Sequence, residues 1–226
     1  MENNYGTWSG NKAAVFVCNG AKGHAKEERE THDYYATDPV AAEYLLKLEP
    51  QLDNVWECFV GEGNLAEPFR KVGKLKAVSD LIDRGYKPEG IITSYGKDFL
   101  QMNKIWKGDI VSNPPYSKVK TYVQHCLDLI EDGRYVALFM KITFLEGKER
   151  KKFFEKYPLV RVWVSSSRIS CAKNNEFYTI KKDKEGNPRL DKEGNPMKEK
   201  VSSAACYCWF IWQKGYKGDT IIKWFN

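Results

Sequence analysis

The feature that most constrains the fold of this chain is the alternation of short apolar runs with helix-like segments or loops. The runs NVWECFV, LKAVSDL and RYVALFMK are separated in this way. Parallel strands require long crossover connections, most often helices. The final runs VRVWVSS and AACYCWFIWQK follow each other without a helix between them. We therefore predict an α/β fold with a seven-stranded sheet, mostly parallel, with one antiparallel strand near the C-terminus.

The 226 residues are enough for one domain, and the 42% hydrophobic content is enough for a core. Residues 1–32 are polar and rich in charge, so we interpret them as an N-terminal arm or lid before a domain at 33–226. Within that domain, residues 174–203 contain Asp-Lys-Glu-Gly-Asn-Pro twice. Gly-Asn turns among mixed charges predict an inserted hairpin or mobile loop.

Composition argues against several classes of protein. No run approaches the roughly 18 apolar residues of a membrane span, and the N-terminus lacks the apolar core of a signal peptide. We therefore expect a cytoplasmic protein with no membrane partner. The six cysteines include no Cys-x-x-Cys pair and the three histidines lack ligand spacing, so no metal site is expected. The net charge of +6 favours a polyanionic partner only weakly.

The segment GDIVSNPPYSKVK places Asn113, Pro114, Pro115 and Tyr116 directly after an apolar run. Prolines fit neither a central strand nor a helix interior, so the four residues form the strand's exit. An amino nitrogen conjugated to an aromatic ring is a poor nucleophile because its lone pair is delocalised. The Asn113 side-chain oxygen and the Pro114 carbonyl could accept its two N–H groups and favour a pyramidal, reactive nitrogen. Tyr116 offers a ring face for stacking, so we predict that these residues are catalytic.

The first strand ends in a glycine-rich turn. Glu57, Gly61 and Gly63 form Glu-x-x-x-Gly-x-Gly. Glycine permits positive φ and a close approach of the backbone to a ligand, and the carboxylate can accept from an ammonium or a hydroxyl. In doubly wound sheets, ligands bind beyond the carboxyl ends of the strands, which is where this turn is expected to lie.

Two further strand ends carry acids. Asp80 follows Glu57 by 23 residues, about the interval at which nucleotide-binding sheets place a ribose-binding acid. Asp83 is an alternative for that role. Asp98 and Phe99 close the third strand, where a carboxylate can accept from an adenine amino group and an aromatic ring can cover the base. Together these positions describe a site for an adenosine that carries an amino-acid tail.

These residues in this order resemble the S-adenosylmethionine-dependent amino-methyltransferases, whose signature is [DNS]-P-P-[YFW]. From DYYATDPVAAEYLL through LFMKITFLEGKERKKFF to WFIWQKGYKGD, the chain looks like the small DNA adenine methyltransferases of phages and Gram-positive bacteria. The resemblance implies a Rossmann-like methyltransferase sheet in a bacterial or phage-encoded enzyme. It implies methyl transfer to the N6 amino group of adenine in DNA, with S-adenosyl-L-methionine as cofactor and S-adenosyl-L-homocysteine as product.

The resemblance also assigns roles to individual residues. YYATDP precedes the glycine turn and would line the methionine end of the cofactor, while Asp80 would hold the ribose and Asp98 with Phe99 the adenine. The cofactor residues expected in this way are Tyr35, Thr37, Pro39, Glu57, Gly61, Gly63, Asp80, Asp98 and Phe99.

DNA recognition is predicted less directly. An enzyme of duplex DNA must extrude the target base, and contacts to phosphates help offset the cost. The basic candidates for those contacts are Lys118, Lys120, Lys148, Arg150, Lys151, Arg168 and Lys173, with Arg168 preferred. Relatives place an aromatic residue after the sixth strand against the extruded base; Cys171 holds the nearest position here, which leaves Phe177 or Tyr178. The 174–203 insertion is either a solvated loop or a wing that contacts DNA.

Three other functions remain open. Release-factor glutamine methyltransferases also carry Asn-Pro-Pro-Tyr, because a glutamine amide has a similarly delocalised lone pair. RNA adenine is a third substrate compatible with the motif. A catalytically inactive nucleic-acid-binding relative would keep the fold, although degraded motifs would be expected in that case.

Overall fold

The computed structural model describes residues 36–172, 177–201 and 205–226. Its α-helices are α1 Val40–Leu48, α2 Ala66–Lys71, α3 Val119–Leu129 and α4 Lys148–Lys156. Its strands are β1 Ala36–Thr37, β2 Val55–Glu57, β3 Leu75–Asp80, β4 Ile92–Tyr95, β5 Ile110–Ser112, β6 Tyr135–Lys141, β7 Arg161–Ser165, β8 Cys171–Ala172, β9 Tyr178–Ile180, β10 Lys198–Lys200, β11 Tyr207–Gln213 and β12 Ile221–Phe225. The predicted arm at 1–32, together with Tyr35 and Lys173, lies outside the described residues.

The main sheet has the strand order β12-β7-β11-β6-β5-β2-β3-β4. Strand β11 is antiparallel to both of its neighbours, and the other pairs are parallel. The prediction of a mostly parallel sheet with an antiparallel strand near the C-terminus is therefore confirmed. The predicted number of seven strands is wrong, because the described residues form eight in this sheet. The additional strand, β12, was missed because it is a short edge strand with Lys223 in its middle and largely exposed neighbours.

The sheet is buried on both faces at its centre. Along β6, Val136, Leu138 and Met140 belong to one core cluster, while Ala137 and Phe139 belong to the cluster on the opposite face. Helix α3 covers the first face, and α1 and α2 cover the second. This burial explains why the central strands appear as uninterrupted apolar runs in the sequence.

A buried carboxylate at the opposite end of the sheet from the strand exits holds two strands together. Asp109, at the entry to β5, accepts the backbone N–H of Asp53 at 2.7 Å and that of Tyr135 at 2.8 Å. Because Tyr135 begins β6, these bonds align the starts of β5 and β6.

Residues 177–201 form a projecting antiparallel hairpin in which β9 pairs with β10. Beyond this pair, three backbone hydrogen bonds form a closed ring: Lys181 N–H to Met197 at 2.8 Å, Met197 N–H to Arg189 at 2.7 Å, and Arg189 N–H to Lys181 at 2.8 Å. The three positions are eight residues apart, which is the length of the sequence repeat. The duplicated sequence therefore forms a small unit at the tip of the hairpin, in which backbone hydrogen bonds join Lys181, Arg189 and Met197 to one another.

Two further structural findings concern membrane spans and metal sites. Across residues 36–172, 177–201 and 205–226, no helix combines the length and apolarity needed to cross a membrane. In the same residues no cluster of three or more His, Cys, Asp or Glu side chains is placed to hold a metal ion.

Candidate active site

One cavity lies at the carboxyl ends of β2, β3 and β5 and beside the segment that follows β4. The sheet order reverses between β2 and β5, and such switch points are where doubly wound sheets bind ligands. The cavity collects most of the predicted catalytic and cofactor-binding residues: Thr37, Glu57, Asp80, Asp98, Phe99, Asn113, Pro114, Pro115 and Tyr116. All of these except Thr37 meet here because they end or follow neighbouring parallel strands, and Thr37 comes from the separate β1–β8 ribbon.

Glu57 ends β2 and is almost completely buried in the cavity wall. Its Oε1 accepts hydrogen bonds from the Ser112 hydroxyl and from the Phe59 backbone N–H, the latter at 3.1 Å. Its Oε2 is buried and has no hydrogen-bond partner among the described residues. Burial raises the pKa of Glu57 to about 8, against the lowering effect of the two hydrogen bonds. A buried oxygen of this kind suits a ligand that brings its own donor, such as an ammonium.

The glycine turn after β2 serves the site in two different ways. Gly61 has φ +55°, and its backbone N–H donates to Asp80 Oδ2 at 2.8 Å, which ties the turn to the end of β3. Gly63 has φ +89°, and a Cβ there would lie only 2.2 Å from the ring of Tyr86. The close approach found at Gly63 is to Tyr86. Neither glycine is among the cavity residues of the described chain, so their predicted contacts with a cofactor remain predictions.

Asp80 and Asp83 have different surroundings in the structure. Asp80 lines the cavity; besides the Gly61 bond, its Oδ1 accepts from the Ile82 N–H at 3.0 Å and lies 3.8 Å from the Arg84 guanidinium. Asp83 is exposed, pairs with Lys87 at 2.9 Å and is not among the cavity residues. Of these two acids, only Asp80 lines the cavity.

Aromatic side chains form the part of the cavity wall next to Asp98. Phe99 is 3% exposed and packs edge-on against Trp56 and Phe59, with ring centroids 5.5 Å and 5.0 Å away. Phe59 in turn packs edge-on against Tyr122, with ring centroids 4.8 Å apart. The Asp98 carboxylate accepts from the Leu100 N–H at 3.0 Å, which fixes it at the start of a short 3-10 turn. This arrangement offers apolar ring surface beside a carboxylate acceptor.

The Asn113 side chain is oriented by groups distant in sequence. Its Nδ2 donates to Thr37 Oγ1 at 2.8 Å and contacts Cys171 Sγ at 3.9 Å. Its Oδ1 accepts from the Tyr116 hydroxyl at 3.2 Å. Thr37 and Cys171 are register partners in the small β1–β8 ribbon. The ribbon thus occupies the donor side of the amide, and because a carbonyl oxygen has two lone pairs, Oδ1 keeps one for a further donor.

The Tyr116 ring is held by contacts on its hydroxyl and its face. The hydroxyl bonds Asn113, and the ammonium of Lys141 lies 5.2 Å from the ring centroid. Burial raises the pKa of Tyr116 well above its ordinary value, so the phenol stays protonated and remains a donor. Burial likewise raises the pKa of Cys171 to about 12, so that thiol stays neutral.

Other predicted site residues lie outside the cavity. Pro39 is half-buried at the start of α1, where Asp38 Oδ1 accepts the Val40 N–H at 3.0 Å. Lys118 and Arg168 are exposed, and Phe177 is half-buried at the base of the hairpin. None of these is among the cavity residues of the described chain. Their predicted roles in binding remain predictions, as does that of Tyr35, which is not described.

Sequence reasoning missed several residues of the site. Phe59, Arg84 and Tyr122 line the cavity, and Cys171 and Lys141 hold Asn113 and Tyr116. Phe59 could have been found as the aromatic residue between Glu57 and the glycines. Arg84, Tyr122 and Lys141 carry no such local signal, because their positions depend on packing between separate elements.

Comparisons with known proteins bear on the fold. No protein-family model matches the sequence, and no curated protein matches it significantly. A candidate RNA methyltransferase from Pyrococcus horikoshii has a similar structure, with a TM-score of 0.54, 13% identity, and coverage of 90% of this chain and 95% of that one. A candidate class I S-adenosylmethionine-dependent methyltransferase from Listeria monocytogenes has a TM-score of 0.53, 12% identity, and coverage of 94% and 71%.

The type IIG restriction endonuclease BpuSI is also similar, with a TM-score of 0.51 and 14% identity over 80% of this chain. This chain spans only 26% of the length of that enzyme. At such identities the likeness concerns the fold alone. The chain therefore has the Rossmann-like fold that is found in class I methyltransferases.

Proposed function

We propose that the protein transfers a methyl group from S-adenosyl-L-methionine to the N6 amino group of adenine in DNA. The observation that carries this proposal is the held Asn113 amide. Its donor side is occupied by Thr37 and Cys171, its oxygen accepts from the Tyr116 hydroxyl and keeps one lone pair, and the residue lines the cavity that contains Glu57, Asp80 and Asp98. An acceptor aimed in this way suits a substrate that offers an N–H group.

The cavity residues fit the proposed cofactor. The Oε2 of Glu57, which has no hydrogen-bond partner in the described part of the chain, would accept from the cofactor's ammonium, and Asp80 and Asp98 would accept from the ribose and the adenine. Phe59 and Phe99 provide ring surface for the base. When bound, S-adenosylmethionine supplies an electrophilic methyl group on a sulfonium, which departs as a neutral thioether.

The chain's own residues would prepare the nucleophile. Asn113 Oδ1 and the Pro114 carbonyl would each accept one N–H of the target amino group and so favour the pyramidal nitrogen with a free lone pair. After that lone pair has taken the methyl group, the nitrogen would release one of its two protons to water. The protonated Tyr116 hydroxyl keeps Asn113 Oδ1 in place by donating to it. The sequence contains no Pro-Cys pair, so attack by a cysteine nucleophile is not part of the proposed mechanism.

The same chemistry applies to RNA adenine and to a glutamine amide. DNA is preferred because of the family resemblance of the sequence and the net charge of +6, which favours a polyanion. Among structures of this fold, one is a restriction endonuclease and one a candidate RNA methyltransferase, so nucleic acids are the first substrates to test.

The decisive experiment is incubation with methyl-labelled S-adenosylmethionine and, separately, duplex DNA, RNA and a bacterial lysate, followed by mass spectrometry of digested nucleosides and proteins. We expect labelled N6-methyladenine from DNA. Asn113→Ala should lose at least 100-fold in turnover, a typical cost for one lost transition-state contact, with cofactor affinity in calorimetry unchanged. Label found only in RNA or only in lysate protein would identify that molecule, and not DNA, as the substrate. No transfer to any of the three would contradict the proposal.

A further inference from the structure

The base of the hairpin is tied to the residues that hold Asn113. The Lys200 ammonium pairs with Asp38 Oδ2 at 2.6 Å. Asp38 directly follows Thr37, whose hydroxyl accepts from the Asn113 side chain at 2.8 Å. The position of the hairpin and the orientation of the proposed catalytic amide are therefore set by the same short segment.

The tip of the hairpin is well organised although it has no core. Asp183 Oδ1 accepts the N–H groups of Glu185 and Asn187 at 3.0 and 2.8 Å. Asp191 makes the same two bonds in the second repeat, at the same distances. Together with the ring formed by the three repeat-spaced backbone positions, these turns keep the tip in one shape.

The surface of the hairpin combines basic and apolar side chains. Tyr178 is 61% exposed and Leu190 56% exposed, so neither contributes to a core. Residues 177–201 contain seven Lys or Arg and five Asp or Glu. Two of the five acids, Asp183 and Asp191, accept from the backbone of their own turns. A hydrogen bond from a backbone N–H does not remove the charge of a carboxylate, so the hairpin has a formal net charge of +2, and one of its basic residues, Lys200, is paired with Asp38. Its surface therefore has a small excess of basic side chains beside exposed apolar groups.

The dimensions of the hairpin match a groove of duplex DNA. A two-stranded ribbon fits the major groove, which is about 12 Å wide. The paired strand Tyr178–Ile180 spans about 10 Å at roughly 3.3 Å per residue, which corresponds to about three base pairs along the helix axis. A ribbon of this length, tied at its base to the segment that holds Asn113, can reach base pairs adjacent to an extruded adenine.

We propose that the hairpin of residues 177–201 enters the major groove of duplex DNA next to the target adenine and provides much of the protein's affinity for duplex. The proposal rests on the proposed function, because an adenine N6 group reacts in this site only after extrusion from a duplex. Lys184 and Lys192, which occupy equivalent positions in the two repeats, would contact phosphates, and the exposed apolar side chains would contact base edges.

The repeat offers a matched pair of charge variants. We expect Lys184→Gln with Lys192→Gln to reduce the affinity for a fluorescent 20-base-pair duplex about 3- to 10-fold in 0.1 M salt. It should also lower the slope of log affinity against log salt by about 1.8, or about 0.9 per lost phosphate contact. Glu185→Gln with Glu193→Gln changes the charge by the same amount in the opposite sense and should leave the affinity unchanged or raise it. Equal affinities for wild type and the lysine variant, or a loss confined to single-stranded RNA, would overturn the proposal.

A second variant removes the tip. Replacing residues 182–196 by Asn-Gly joins the paired residues Lys181 and Met197 through a two-residue hairpin turn. We expect cofactor affinity and the urea midpoint to be retained and KM for duplex DNA to rise at least 10-fold.

If wild type methylates DNA and this variant has the same KM, the inference about the hairpin fails while the proposed function stands. If wild type methylates no DNA, the proposed function fails, and the duplex affinities still test the hairpin by themselves.

Discussion

Glu49 and Glu57 are both buried glutamates at the ends of secondary-structure elements, yet their surroundings differ. Glu49 follows α1 and receives two bonds from the Arg161 guanidinium, both at 2.6 Å, and one from Trp163 Nε1 at 2.7 Å. Glu57 ends β2 and keeps one oxygen without a partner among the described residues. A carboxylate with every oxygen satisfied belongs to the framework, whereas one held open at a cavity is available to a ligand.

The pKa values of the two carboxyls move in opposite directions. Burial alone would raise the pKa of Glu49, but the bonds from Arg161, Trp163 and Gln51, with the guanidinium charge, hold it below its ordinary value. For Glu57 burial prevails, and its pKa is raised to about 8. The cost of burial is offset at Glu49 by groups of the protein. At Glu57 it is left for a ligand to offset.

The largest expected effect is on stability, through the Glu49 pair. Arg161→Met should lower the free energy of unfolding by about 3–5 kcal/mol, because it leaves the Glu49 charge buried without its cation. Urea unfolding at pH 7 would measure this loss, with the exposed Lys152→Met in α4 as a control that should change little. A loss below about 1 kcal/mol would contradict the view that Glu49 is a framework residue.

The second prediction concerns the pH dependence of stability. Because the pKa of Glu57 is raised from 4.5 to about 8, the folded protein holds a proton there that the unfolded chain releases, so this group makes stability fall as pH rises from 4.5 to 8. The slope is about 1.4 kcal/mol per pH unit. Glu57→Gln should remove this fall. Glu49 acts oppositely: its contribution is present above pH 4.5 and is lost as pH falls through its lowered pKa.

Urea midpoints of wild type and Glu57→Gln between pH 5 and pH 8 would test that prediction. We expect the variant to become the more stable of the two as pH rises. Parallel curves across this range would mean that Glu57 is ionised in the folded protein without a ligand.

The third prediction tests what Glu57 binds. Glu57→Gln should weaken S-adenosylhomocysteine binding by about 1.5–3 kcal/mol, the usual value of a hydrogen bond to a charged group. 5′-Methylthioadenosine, which lacks the ammonium, should bind both proteins equally. In calorimetry with two buffers, wild type should release protons on binding S-adenosylhomocysteine below pH 8, since the ammonium favours the ionised carboxylate. An equal loss for both ligands would place Glu57 away from the cofactor's tail.

The smallest effect is expected at the neighbouring strand end. Asp80→Asn should weaken cofactor binding by about 0.5–1.5 kcal/mol, the value of one ordinary hydrogen bond, because Asp80 lines the cavity. Asp83→Asn is the matched control and should leave affinity unchanged, since Asp83 is exposed and paired with Lys87. A larger loss of affinity for Asp83→Asn than for Asp80→Asn would indicate that Asp83, and not Asp80, binds the ribose.

The α/β class, and the edge of the sheet at which the motifs meet, could both be predicted from local sequence patterns. Alternating apolar runs and crossovers require parallel strands, and the exits of parallel strands share an edge, so Glu57, Asp80, Asp98 and Asn113 could be placed together without coordinates. These inferences depend on local pattern and on strand direction alone.

Which of these groups are hydrogen-bonded, and to which partners, depends on contacts between distant parts of the chain and could not be predicted from the sequence. Glu49 and Glu57 look alike in sequence and differ because Arg161, 112 residues from Glu49, reaches one of them. Asn113 is oriented by Thr37 and Cys171, 76 and 58 residues away. The eighth strand and the closed tip of the hairpin also depend on distant pairings. Burial and long-range hydrogen bonds set the charge and orientation of a side chain, and neither follows from its neighbours along the chain.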